Sequence, residues 1–167
     1  MPNSAKRLKP KGLPYNKILA FAGLLGIILM PGLAAALEYR SVASPKAVLY
    51  DAPSGQAKKL FVVGQGYPVE IIVNLGNWIK VRDHFGTLSW IEAKDLDNKR
   101  SLIVKANDAE LKQAPDAAAK AVTRIEKDVL LEMAEPPTVD VAGNSWIKVR
   151  HRDGLTGYIK ATSVWGY

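Results

Sequence analysis

Tyr50, Trp78 and Trp90 are the side chains of this sequence best suited to recognition, and Lys80 and Arg82 follow close behind Trp78. Flat aromatic faces stack on sugar rings or prolines, while a Trp N–H or Tyr O–H adds a polar handle. On an extended chain Trp78, Lys80 and Arg82 share one face, because strand side chains alternate with a period of two. Such a basic-aromatic strip suits an anionic or carboxylate-bearing partner. Trp146, Lys148 and Arg150 repeat the arrangement, with Tyr158 standing where Trp90 would be and Arg152 beyond. Packing makes a competing demand on these residues. Burying one aromatic removes about 150–250 Å² from water, worth about 4–6 kcal/mol as an upper bound. Trp78 and Trp146 therefore read first as core, while Tyr50, Trp90 and Tyr158 are open to either role. The stems of Lys80 and Arg82 could equally serve to cover Trp.

Catalytic patterns are weaker. His84 and His151 each lie near a strand-to-strand turn, without a second His, a Cys or paired carboxylates at ligand spacing. Both read as solvated turn residues. Ser89 lies outside any nucleophile elbow, and Gly64-Gln65-Gly66 lacks the Lys and helix of a phosphate loop. Glu70, Asp83, Glu92 and Asp95 could supply carboxylates to a glycosidase, but nothing in their spacing brings two to one cleft. The absence of Cys removes disulfides, thiol catalysis and zinc-finger spacings together. The expectation is a non-enzyme with no cofactor and no metal.

The elements that hold these residues follow from an internal repeat. Trp78-Ile79-Lys80-Val81-Arg82 recurs letter for letter as Trp146-Ile147-Lys148-Val149-Arg150, and the register continues from Gly86 to Gly154 and from Ile91 to Ile159. Upstream the match loosens: Ala52-Pro53 pairs with Ala114-Pro115, and Val69 is paired with Val129. Changing offsets place a longer loop around Ala134 to Ser145 in the second copy. Short β-branched runs punctuated by Gly, Pro and Asn predict strands over 47–51, 67–74, 78–83 and 87–93. Ser101 to Lys105 is expected to close the first copy, before Ala109 to Gln113 opens the second. Asp116 to Val129 has the Asp start and Ala content of a helix, yet its counterpart in the first copy does not, so a long loop with strand is expected.

The opening residues have a different purpose. Lys6, Arg7, Lys9, Lys11 and Lys17 precede an apolar run from Ile18 to Met30, followed by Pro31-Gly32 and Ala34-Ala35-Ala36. That order predicts an N-terminal signal helix cleaved between Ala36 and Leu37. An uncleaved inner-membrane anchor is the alternative, although a run of 13 apolar residues is short against the roughly 20 a span requires. The net charge of +7 is then misleading. Five of the 23 cations lie before residue 37, leaving 18 against 16 carboxylates, a net of +2 without a basic block. Nucleic acid is not an expected partner.

Val48-Leu49-Tyr50-Asp51-Ala52-Pro53-Ser54, Gly66-Tyr67-Pro68-Val69-Glu70, the Trp78 strand and Gly86…Trp90-Ile91 together resemble the bacterial Src-homology-3-like domain family. The second copy answers with Leu111-Lys112-Gln113-Ala114-Pro115, Val129-Leu130-Leu131, the Trp146 strand and Gly154…Tyr158-Ile159. The resemblance implies an all-β chain of two tandem small barrels, at 44–105 and 106–167, behind a signal over 1–36. It also implies a module of the kind attached to the cell wall or its hydrolases. Lys112 is read in place of Leu49 and Gln113 in place of Tyr50, so a groove built on Tyr50 would not carry over to the second copy. The expected function is an exported, periplasmic or envelope binding module for peptidoglycan or an envelope protein. The alternatives are a membrane-anchored periplasmic adaptor and, least favoured, a cell-wall hydrolase.

Overall fold

The computed structural model describes residues 37–167, where two short 3₁₀ turns are the sole interruptions to an otherwise all-β architecture. The first copy contains β1 (Tyr39–Val42), β2 (Lys46–Tyr50), β3 (Lys59–Gly64), β4 (Pro68–Asn74), β5 (Trp78–Arg82), β6 (Leu88–Glu92) and β7 (Leu96–Asp97). The second contains β8 (Ser101–Val104), β9 (Ala109–Lys112), β10 (Ala121–Ile125), β11 (Leu130–Met133), β12 (Thr138–Val139), β13 (Ser145–Arg150), β14 (Thr156–Lys160) and β15 (Val164–Trp165). The first sheet runs β3-β2-β6-β5-β4-β1-β7, and the second runs β10-β9-β14-β13-β11-β8-β15, with β12 added beside β13. The two orders are the same order. The predicted signal and its cleavage point at Ala36 lie outside the described residues.

Both cores are built by alternation. Ile79 and Val81 face inward between Trp78, Lys80 and Arg82, as Ile147 and Val149 do between Trp146, Lys148 and Arg150. Strands from across each sheet contribute to one apolar cluster, so the sheet must curl around it. Val42, Leu49, Val69, Ile79, Val81, Ile91 and Leu96 form the first cluster. Val104, Leu111, Leu131, Ile147, Val149, Ile159 and Val164 form its counterpart. The first three pairs are offset by 62 and the last four by 68. The second copy therefore carries six extra residues between Leu131 and Ile147.

This register corrects three sequence-based assignments. Ser101–Val104 does not close the first sheet: it pairs with Leu130–Glu132 and with Val164–Trp165, opening the second copy as Tyr39–Val42 opens the first. Val69 corresponds to Leu131, since Arg40↔Val69 and Leu102↔Leu131 are equivalent cross-strand pairs. Tyr50 corresponds to Lys112, because they face Trp90 and Tyr158 respectively. Leu49 is then matched by Leu111, both of them core, and Gln113 by Asp51. The Ala-rich segment after Asp116 forms turns and then β10, its helical preference overridden by pairing with β9.

The two copies meet directly. The Ser101 N–H donates to the buried Ser41 Oγ at 2.8 Å. Trp165 sets its ring against Tyr39 at 5.1 Å between centroids and 83° between planes. Gly166 lies between them with φ +112°, and a Cβ there would stand 2.8 Å from the Ser101 carbonyl and 2.9 Å from Pro68. Only glycine satisfies both the backbone angle and that gap.

Candidate functional site

The outer face of the first copy is organised by cross-strand neighbours. Lys80 faces Trp90 across β5 and β6, and Trp90 faces Tyr50 across β6 and β2. Residues in such a row share one side of the sheet. Trp78 joins the row by placing its ring edge-on to Tyr50, with centroids 5.3 Å apart and planes at 87°. The Lys80 ammonium stands 5.9 Å from the Trp90 ring centroid, within cation–π range. Tyr50 is only 7% exposed, whereas Trp78, Lys80 and Trp90 are half-buried. Tyr50 thus orients Trp78, and the surface open to a ligand is Trp78, Lys80 and Trp90.

Arg82 is withdrawn from that surface. Its Nε and Nη2 donate to Glu70 at 2.8 and 2.6 Å in a bidentate pair, and this bonding raises the guanidinium pKa. Among the described residues Lys80 has no carboxylate within ion-pair distance. It is the cation the strip can offer.

The second copy shows the same row with different occupants: Lys148 faces Tyr158, and Tyr158 faces Lys112. Its Trp is sealed. Trp146 is 1% exposed, and its indole N–H donates to Asp140 Oδ2 at 2.8 Å. Asp140 lies in the longer loop and also accepts from the backbone of Ala142 and Asn144 and from the Asn144 side chain. The Trp146 and Asn144 donors hold its carboxyl down at about 2. The two lysines of the row are neutralised: Lys148 contacts Glu135 at 2.6 Å and Lys112 contacts Glu110 at 2.8 Å. Lys160 covers Trp146 at 5.7 Å from its ring centroid.

The remaining sequence candidates are dispersed. Asp83 caps its turn by accepting the Phe85 and Thr87 N–H groups. Asp95 accepts the Ser44 hydroxyl, Glu92 pairs with Lys94, and Glu70 is held by Arg82. No three metal-ligating side chains cluster among the described residues. His84 departs from the solvated role expected of it. Its side chain is 9% exposed beneath Trp165, its Nδ1 lies 3.1 Å from the Tyr67 hydroxyl, and its buried Nε2 has no hydrogen-bond partner. The nearest carboxylate to that nitrogen is Asp128, at 3.8 Å. His151 is less buried and stands 3.2 Å from Asp153.

The bacterial SH3 domain matches this chain twice, over residues 43–98 and 105–166. No curated protein matches. Among solved structures the chain is similar to NlpC2 from Trichomonas vaginalis, at 13% identity and a TM-score of 0.35, covering 78% of this chain and 48% of that one. An NlpC/P60 family protein from Bacillus cereus gives 15% identity and a TM-score of 0.35, covering 77% and 56%. A putative autolysin from Listeria monocytogenes gives 14% and 0.32, covering 79% and 63%. The chain thus spans from about half to under two thirds of the length of these structures.

Proposed function

The chain belongs to the bacterial SH3 domain family, and on that premise we propose that it is an exported, non-catalytic tandem binding module of the bacterial envelope. Its ligand surface is Trp78, Lys80 and Trp90 of the first copy, and its ligand class is peptidoglycan or an envelope protein. One observation carries this reading: the two copies share a row of equivalent positions, and only the first leaves its Trp half-exposed beside a Lys that has no carboxylate partner among the described residues. Stacking on an indole suits a sugar ring or an extended peptide, and an adjacent ammonium suits a carboxylate. The second copy, with Trp146 sealed and Lys148 neutralised, serves as a brace. Export is supported by the positive start, the apolar run and the small residues that follow, all read from sequence.

Sedimentation of residues 37–167 with purified peptidoglycan tests the wall-binding form. Co-sedimentation that is lost in Trp78→Ala and Trp90→Ala would support it. Complete recovery of the folded protein in the supernatant would reject it and leave the envelope-protein form.

A further inference from the structure

The same cross-strand pair has two fates in the two copies. Glu70 faces Arg82 and is closed on it by two hydrogen bonds. Glu132 faces Arg150 at the equivalent register, yet pairs at 3.0 Å with Lys99, from the connection between the copies. The residue beside the acid also differs. Tyr39 stands across from Glu70, whereas the smaller Ser101 stands across from Glu132. A serine leaves open the volume that a tyrosine ring fills. The result is a groove of about 410 Å³ between the copies, lined by Ser41 and Gly66 on one side and by Ser101, Glu132, Arg150 and Arg152 on the other. Arg150 is exposed there without a carboxylate partner among the described residues.

We propose that this groove is a second binding site, distinct from the Trp78 face, and that Arg150 takes the terminal carboxylate of a short peptide in it. The guanidinium presents a planar fork that matches a carboxylate with two parallel hydrogen bonds. The volume falls within the range of small-ligand sites. The charge of the lining selects the anion: Arg150, Arg152 and Lys99 are countered by Asp97 and Glu132, which leaves one net positive charge. A singly charged carboxylate satisfies that balance, and a phosphate dianion meets two acids. Lys99 has a defined part, as the residue that keeps Glu132 away from Arg150.

Calorimetric titration of the full chain with acetyl-Gly-Gly-Ala tests the site, using the C-terminal amide of the same peptide and inorganic phosphate as comparators. The free acid binds, and the amide and phosphate bind at least tenfold more weakly. Arg150→Gln lowers the affinity at least tenfold with thermal unfolding unchanged, by removing the fork, and Ser101→Thr, which narrows the groove, lowers it less. Lys99→Ala also weakens binding, because the released Glu132 returns to Arg150. Arg150 stands outside the Trp78 row, so loss of peptide affinity in Arg150→Gln separates this site from the Trp78 surface. Equal binding of acid and amide, phosphate binding as tight as the acid, or an unaffected Arg150→Gln would each overturn the proposal.

Discussion

Arg82 grips Glu70 through two hydrogen bonds, and the acid it holds is 5% exposed at the side chain while the guanidinium remains 43% exposed. Removing the Arg strands a carboxylate in a site that water barely reaches. Arg82→Met is expected to cost about 1–3 kcal/mol in urea unfolding, below the cost of a fully buried pair because the guanidinium is partly solvated. Arg150→Met, at the equivalent position without that pair, is expected to stay within about 0.5 kcal/mol. Equal losses in the two variants would contradict the difference described between the copies.

The two repeated tryptophans should separate stability from binding. Trp146→Ala empties a fully buried site and removes one of the four donors to Asp140, so a loss of about 3–5 kcal/mol is expected. Trp78→Ala removes a half-exposed ring and is expected to cost about 1–2 kcal/mol. Chemical unfolding of both variants, alongside peptidoglycan sedimentation of Trp78→Ala, gives the comparison. A Trp78 variant that loses as much stability as the Trp146 variant would place both in the core.

The loop over Trp146 should open in acid. Asp140 has a folded pKa of about 2 against an ordinary 3.8, held down by its Trp146 and Asn144 donors. A depressed carboxyl pKa contributes stability that is complete above the unfolded value and is lost as pH falls towards the folded one. The window therefore runs from about pH 4 to about pH 2. Tryptophan emission should shift to the red across it, and Asp140→Asn should remove the shift. An unchanged transition in that variant would exclude Asp140 as its source.

Gly157 tests the closeness of β14 to β9. A Cβ there would stand 2.6 Å from Leu111 Cγ and 2.7 Å from the Lys112 carbonyl, so one contact is with backbone that cannot yield cheaply. Gly157→Ala is expected to destabilise the second copy by about 1–3 kcal/mol. Ser89 occupies the equivalent position and is itself buried, and Ser89→Ala should cost less. Thermal unfolding of the two variants measures the contrast, and a neutral Gly157→Ala would show that the strands separate readily.

Repetition carried the sequence reading wherever letters were shared. The identity around Trp78 and Trp146 located β5, β6, β13 and β14 and their alternation. It failed at β1 and β8, because Tyr39-Arg40-Ser41-Val42 and Ser101-Leu102-Ile103-Val104 share only the final valine. Ser101 to Val104 is buried throughout, so no alternation marked the sheet to which it belongs. The aromatic row was legible as residue types two apart on a strand. The sealing of Trp146 was not, because it depends on Asp140 returning over the ring from an irregular loop. Glu70 and Arg82 are 12 residues apart on neighbouring strands, and a linear reading gives no reason to join them.

Tyr39 and Trp165 belong to the first and last strands described, yet their rings touch. Tension applied at residues 37 and 167 would arrive at this contact and at the seat of Gly166 on Pro68 before reaching either core. The 98–100 connection lies outside that force path while the clasp holds. The tandem would then bear a pull as a single link, and extension of its interior would begin only after Trp165 had been peeled from Tyr39.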